Sequence, residues 1–164
     1  MVDAIEENSD ILPKNYVLIF PLTYHRNDEK YIADLKNRLN EKQINHICYD
    51  DFLSEKDLAR IRISSDIYIT IPKSDAASSS LLEYLLAGNV VLAGDWLPYK
   101  YHSDLGLYFH TSSLKNLPNK IRDIIINFNK YKNDTMKNKQ IVLNNCSWSY
   151  RIKGWEYIFN SLKN

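Results

Sequence analysis

Apolar residues along the chain follow two alternating patterns: short continuous runs, and stretches in which they recur every three or four positions. The run Tyr16–Phe20 is uninterrupted and stops at Pro21, which is typical of a strand buried on both faces of a parallel sheet. The stretches between such runs predict amphipathic helices, because their apolar residues fall on one helical face among charged ones. The predicted strands are Tyr16–Phe20, Ile44–Tyr49, Asp66–Ile71, Val90–Ala93 and Leu105–His110.

Helix signals complete the pattern. Ser78 precedes the apolar segment "SSLLEYLLAG", and Gly88 stands where a helix commonly ends on glycine. Further helices are predicted over 116–131 and from about Ser147 onward.

This alternation predicts a Rossmann-like, three-layer α/β fold with a five-stranded parallel sheet. The simplest strand order, 2-1-3-4-5, makes Tyr16–Phe20 and Asp66–Ile71 adjacent central strands. Ligands bind such sheets at the carboxyl ends of the strands, where the strand order reverses. The loops at that position are "PLTYHRNDEK" and "PKSDAASS".

Composition narrows the class of protein. The chain has 164 residues and a formal net charge of +1, which argues against a protein that works by coating nucleic acid. No apolar run is long enough to cross a membrane. We expect residues 1–15, which are acidic and polar, to be a linker or a cut end, and residues 16–164 to form a single domain. Cys48 and Cys146 stand far apart, so neither a metal site nor a disulfide scaffold is indicated.

The stretch "SDAASSSLLEYLLAGNVVLAGDW" has the most suggestive chemistry. The backbone N–H groups of Ser78–Ser80 open a helix, where a phosphate binds favourably. Glu83 lies off the centre of the apolar stripe, where its carboxylate can accept hydrogen bonds from vicinal hydroxyls, and Asp75 stands in the loop before it. Each residue also has an ordinary interpretation: N-capping serines, a solvated helix glutamate and a turn aspartate.

The segment "SDIYITIPKSDAASSSLLEYLLAGNVVLAG" resembles the donor-binding motif of GT-B glycosyltransferases, especially the retaining family four. That motif leads from a strand into an acidic residue, seven spacers and a glutamate, and here Asp75 and Glu83 stand at the two acidic positions. The resemblance implies that Glu83 binds the ribose of a nucleotide sugar and Asp75 the hydroxyls of the sugar, both as residues of the catalytic centre. It implies that the amides of Ser78, Ser79 and Ser80 bind the diphosphate.

Other candidate binding residues lie in the loops after the first two strands. Arg26 and Lys30 are approximate counterparts of the family's arginine and lysine after the first strand, and would neutralise the diphosphate. Alternatively, these two side chains form a solvated face at the start of a helix. Tyr49 follows the second strand, where a base could rest against its ring, or where it is part of an ordinary loop. The chain departs from the family in having Asp at the first acidic position and no "GR" motif.

The resemblance implies the donor-binding domain of a hexosyltransferase for bacterial surface polysaccharide or glycoconjugate synthesis. The donor would be a UDP- or GDP-sugar bound as substrate, with no other cofactor and no metal. An N-terminal acceptor domain of the same protein would be its partner, and without it the isolated chain would be inactive. We expect a cytoplasmic location, extending to the inner face of the membrane through that domain, with no nucleic-acid partner and no transmembrane segment.

Two other functions remain open. A nucleoside deoxyribosyltransferase-like enzyme or an N-ribosyl hydrolase also places a glutamate on a helix after such a strand, as a nucleophile. A non-catalytic flavodoxin-like module shares the fold class, but the loop after Tyr16–Phe20 lacks the Ser/Thr/Gly-rich phosphate loop of a flavodoxin.

Overall fold

A computed structural model of the chain describes residues 1–22, 29–76 and 78–162. Helices alternate with parallel strands, so the predicted α/β class is confirmed. The strands are β1 (Leu18–Pro21), β2 (His46–Tyr49), β3 (Ile67–Thr70), β4 (Val90–Gly94) and β5 (His110–Ser112). The helices are α1 (Val2–Glu6), α2 (Glu29–Glu41), α3 (Glu55–Ser64), α4 (Ser79–Leu86), α5 (Lys100–Asp104), α6 (Leu117–Ile126), α7 (Phe128–Asp134), α8 (Asn138–Asn145) and α9 (Trp148–Ser161), with a 3-10 turn at Thr135–Lys137.

The chain divides into two compact units. Unit 1 comprises Met1–Arg60 and Lys115–Ile126, and unit 2 comprises Ile61–Leu114 and Asn127–Asn164. In unit 1, β1 pairs with β2 in parallel. In unit 2, β4 pairs in parallel with β3 on one side and with β5 on the other.

The predicted single sheet of five strands is wrong, because the described strands form one sheet of two and one of three. The predicted central neighbours, Tyr16–Phe20 and Asp66–Ile71, contribute β1 and β3 to different sheets. An apolar run shows that a strand is buried but has no information about which strand lies beside it. Burial identifies β4 as the central strand of unit 2: every residue of β4 is buried, whereas β3 is half-buried until Thr70.

The fifth strand also differs from its prediction over Leu105–His110, since β5 begins only at His110. Gly106 has a φ of 87°, a left-handed conformation that ends α5 rather than continuing a strand. The backbone of Tyr108 is instead held by a side chain: Asn138 Nδ2 donates to its carbonyl oxygen at 2.8 Å, and its N–H donates to Asn138 Oδ1 at 2.7 Å. These two hydrogen bonds, which we call the amide clamp, take the place of strand pairing at Tyr108.

The first residues of the chain are folded in unit 1. Val2 and Ile5 are buried, and Asn8 Nδ2 donates to the carbonyl oxygen of Pro118 at 2.9 Å. Arg122 forms two hydrogen bonds to Asp10, at 3.0 and 3.1 Å, and these bonds hold the pKa of Asp10 below its usual value. Residues 1–15, expected to be a linker or a cut end, therefore include a helix packed on α6.

The core of unit 2 lies between its sheet and α4. Val91 and Ala93 of β4 pack against Leu81 and Leu85, and all four side chains are fully buried. Val142 of α8 closes the same cluster. The sheet and α4 are therefore held as one body, which fixes the start of α4 relative to the end of β3.

Removing the amide clamp tests this description of unit 2. Asn138 is fully buried, so Asn138→Ala is expected to lower the free energy of unfolding by about 2–4 kcal/mol, because two partly buried hydrogen bonds are lost and the backbone groups of Tyr108 are left without their partner. Urea unfolding followed by circular dichroism measures the change. Asn144→Ala, at an exposed position of the same helix, is the matched control and should be nearly neutral. Equal effects of the two substitutions would contradict the clamp.

Candidate functional site

The carboxyl end of β3 and the start of α4 place several predicted residues in unit 2. Ser78 is the N-cap of α4, and its Oγ accepts a hydrogen bond from Leu81 N at 3.1 Å. Gly88 follows the helix with a φ of 79°, as its predicted C-terminal position requires. The ordinary capping role of Ser78 is thus present, while Ser79 beside it is exposed.

Asp75 is bound from two sides in the loop before α4. Its Oδ1 accepts from the N–H of Ala76 at 2.7 Å, and its Oδ2 accepts from the hydroxyl of Tyr99 at 2.6 Å. Tyr99 is only 2% exposed. Burial, followed by the hydrogen bond to Asp75, raises the pKa of Tyr99 to about 12, although contacts with Ser78 and Thr70 partly oppose the shift.

A second tyrosine, Tyr68 of β3, lies at the centre of the same cluster. Burial raises the pKa of Tyr68, and the charge of Asp75 adds to this effect. Hydrogen bonds of its side chain to Thr70 and Ser80 act in the opposite direction, as does the charge of Arg62. The phenol group of Tyr68 is therefore surrounded by the end of its own strand, the acidic loop and the first turn of α4.

Glu83 lies one turn along α4 and forms an ion pair. Its Oε2 is 2.6 Å from Nη2 of Arg62, at the end of α3. The contact is not an aligned hydrogen bond, since Oε2 is closed off from solvent without a hydrogen-bond partner among the described residues. Tyr84, the next residue, stacks flat on Tyr68 with ring centroids 3.8 Å apart. This stacking joins the Glu83–Arg62 pair to the cluster around Asp75.

Trp96 covers the adjoining end of the sheet. Its Nε1 donates to the carbonyl oxygen of Pro72 at 2.9 Å, and its ring lies on Gly94, where a Cβ atom would come within 2.6 Å of it. Any larger residue at the last position of β4 would therefore displace the indole of Trp96. Trp96 remains 39% exposed, so an aromatic surface borders the polar cluster.

The remaining predicted residues are elsewhere. Lys30 is exposed near the start of α2 and Tyr49 is half-buried at the end of β2, so both belong to unit 1. Arg26 lies outside the described residues. The structure thus brings together Asp75, Ser78, Ser80 and Glu83 in unit 2, with Ser79 exposed beside them.

The sequence analysis does not connect Tyr68, Thr70, Arg62 or Tyr99 to this cluster. Tyr68 and Thr70 could have been found, because residues two apart on a strand point to the same face, here the face that α4 covers. Nothing in the sequence places Arg62 beside Glu83, since the two residues lie on different helices joined through β3.

The cluster suits recognition of a ligand with hydroxyls and an anionic group. Each carboxylate oxygen has more than one lone pair, so Asp75 can accept further hydrogen bonds while it binds Tyr99. The start of α4 favours an anion, and Arg62 is a nearby cation that can bind phosphate oxygens bidentately. Within the described ranges, we find no group of three or more His, Cys, Asp or Glu residues able to hold a metal ion, and none of the helices there is long and apolar enough to cross a membrane.

Comparisons with protein-family models, with curated proteins and with solved structures found no match to this chain. The assignment of function therefore rests on the geometry of unit 2.

The hydrogen bond between Tyr99 and Asp75 can be tested directly. Tyr99→Phe is expected to lower the free energy of unfolding by about 1–3 kcal/mol, because a buried bond to a charged acceptor is lost. It should also remove the tyrosine that ionises near pH 12 from an ultraviolet absorbance titration. Tyr101→Phe, at a 56% exposed position of α5, is the control. Because the pKa of Tyr68 is also raised, the variant is compared with the wild type, and an unchanged number of late-ionising tyrosines in Tyr99→Phe would contradict the assignment.

His102 of α5 lies near Tyr99, with ring centroids 6.0 Å apart. It is 5% exposed, and its Nδ1 has no hydrogen-bond partner in the part of the chain that the structure describes. Burial lowers the pKa of His102 from its usual 6.5, and the positive charge of Arg151 lowers it further. The folded chain therefore favours the neutral imidazole.

This shift predicts a loss of stability in mild acid. Between the lowered pKa and about 6.5 the unfolded chain binds more protons than the folded one, so stability present above that window is lost as the pH falls through it. His102→Gln should lose less stability between pH about 7.5 and about 5.5 than the wild type does. Urea unfolding of both proteins at each pH measures the difference. Identical losses would show that His102 titrates alike in both states.

Proposed function

We propose that unit 2 binds the nucleoside diphosphate of a nucleotide sugar and is the donor-binding part of a glycosyltransferase. The observation that supports this most is the convergence of Asp75, the start of α4 and the Glu83–Arg62 pair around Tyr68. Asp75 and the start of α4 lie after a parallel strand, at the edge of the sheet where α/β proteins bind ligands, and Arg62 reaches Glu83 from the end of α3, before that strand. A Rossmann-like fold is part of this proposal, and the parallel strands that are joined through helices support it.

In this proposal the ion pair of Arg62 and Glu83 is the resting state of two binding groups. The arginine turns to the diphosphate, adding its charge to that of the helix start, and the carboxylate then accepts hydrogen bonds from the ribose hydroxyls. The exchange costs little, because the pair is partly open to solvent, with the side chain of Glu83 43% and that of Arg62 20% exposed, and surface pairs contribute about 0–1 kcal/mol to stability. Arg62 is thus the candidate partner of the phosphates that unit 2 itself supplies.

Asp75 has the second role. Its carboxylate, held in place by Tyr99, would accept hydrogen bonds from the hydroxyls of the transferred sugar. The departing nucleoside diphosphate would be stabilised by Arg62 and the amides of Ser78–Ser80, which are suited to the charge that develops as the glycosidic bond breaks. Transfer requires an acceptor held in register with the donor, which we assign to a second domain.

Calorimetry with UDP-, GDP-, ADP-, CMP- and dTDP-sugars tests the proposal. At least one of them should bind, and Glu83→Ala should raise its dissociation constant about tenfold or more, since hydrogen bonds to a carboxylate contribute about 1.5–3 kcal/mol. Stability should change by about 1 kcal/mol or less. The matched control is Asp104→Ala, which breaks the exposed ion pair with Lys100 in the same unit and should leave binding unchanged.

Two results would overturn the proposal. If Glu83→Ala lowers stability but leaves the dissociation constant unchanged, Glu83 serves only to pair with Arg62. If the isolated chain cleaves nucleosides or exchanges their bases, and Glu83→Ala abolishes this activity, the glutamate is a nucleophile and the nucleoside transferase class replaces ours.

A further inference from the structure

α9 exposes an unusual amount of apolar surface for the last helix of a folded unit. No residue of α9 is buried among the described residues. Trp148 is 68% exposed, Trp155 50%, Phe159 60% and Leu162, directly after the helix, 77%. Leaving such large side chains in water is unfavourable, so this surface is of the kind that marks an interaction site.

The spacing of these residues is regular. Together with the half-buried Ile152 they form the α9 stripe, which we define as Trp148, Ile152, Trp155, Phe159 and Leu162. Successive members are separated by four, three, four and three residues, which is the heptad pattern of a helix that pairs with another helix. The rings of Trp155 and Phe159 lie 6.2 Å apart, so these neighbours share one face.

The charges beside the stripe indicate what covers it. When the stripe residues are placed at the a and d positions of a heptad, Arg151 stands at position g and Glu156 at the following position e, on opposite sides of the stripe. In a parallel pair of identical helices, g of one chain faces the following e of the other. Arg151 of each copy would thus face Glu156 of its partner, on both sides of the seam. An antiparallel pair would set g against g and lose this complementarity.

The surface beside the stripe is also open to solvent. A shallow groove is lined by Arg151, Gly154, Trp155 and Ile158, together with Tyr150 and Lys153. A Cβ atom added to Gly154 would contact nothing within 4 Å, so the missing side chain leaves room for a bulky residue. In the heptad frame Gly154 stands at position c, outside the seam, so it does not obstruct a partner helix.

We propose that α9 pairs in parallel with α9 of a second copy of this chain, making the protein a homodimer. The interface consists of the two stripes, flanked by two Arg151–Glu156 ion pairs between the copies. This inference is independent of the proposed binding of a nucleotide sugar.

Sedimentation equilibrium of the full chain over a concentration series tests the proposal. The wild type should be a dimer, and the stripe variant Trp155→Ser/Phe159→Ser should be a monomer with an unchanged circular dichroism spectrum. Tyr157→Ser is the matched control: Tyr157 is 76% exposed but lies roughly 200° around the helix from Trp155, so this variant should stay dimeric.

A charge exchange tests the ion pairs without disturbing the apolar stripe. Arg151→Glu should weaken the dimer, because like charges would then face each other, and adding Glu156→Arg should restore it. This result does not depend on whether the serine variants fold. A dimer that is weakened equally by the single and the double exchange would contradict the proposed pairing.

Cross-linking tests the orientation. Ile152→Cys should form a covalent dimer under mild oxidation, since equivalent positions of the seam meet in a parallel pair. The wild type, which has Cys48 and Cys146, gives the baseline, and Tyr157→Cys is the control. A monomeric wild type at every concentration would overturn the proposal. So would a monomer that binds anionic phospholipid vesicles through the stripe, because the surface would then be a membrane contact.

Discussion

The pairing of β4 on both edges is the constraint on which unit 2 depends. This strand is buried along its whole length, so its backbone N–H and C=O groups have no water to bind and must be satisfied by neighbouring strands. Parallel pairing with β3 and β5 satisfies them, and it brings all three carboxyl ends to one edge. The acidic loop, the first turn of α4 and the indole of Trp96 meet at this edge because they follow the carboxyl ends of β3 and β4 in the chain. The proposed site is thus a consequence of the same pairing that makes the core.

Stability alone explains the polar groups at this edge poorly. Asp75 and Tyr99 satisfy each other, but a pair of apolar residues of similar size would fill the space without the cost of desolvating a carboxylate. Arg62 and Glu83 form a pair that is partly open to solvent and contributes little. The Arg62–Glu83 pair contributes little to folding, so a ligand can recruit its two groups at a small cost in stability.

The apolar pattern predicted the α/β class and four of the strands to within a few residues, because burial on two faces leaves a continuous run in the sequence. It failed where side chains replace backbone pairing, as at Tyr108, whose partner Asn138 is thirty residues away. It also failed on which strands are neighbours. At the candidate site, the motif singled out Asp75 and Glu83, whose binding roles stay predictions, and their partners Tyr99 and Arg62 come from other elements. No periodicity within one segment could have joined them.

The order of segments along the chain has a consequence for its synthesis. Unit 1 is closed by α6, whose Pro118 accepts the hydrogen bond from Asn8, yet the entire sheet of unit 2 is encoded between these two residues. A chain emerging from the ribosome must therefore hold its first helix without its packing partner until more than a hundred further residues have been made. The clamp of Asn138 comes later still. Neither unit can be excised as one contiguous fragment, so dissection of this protein calls for circular permutation or co-expression of pieces rather than a single cut.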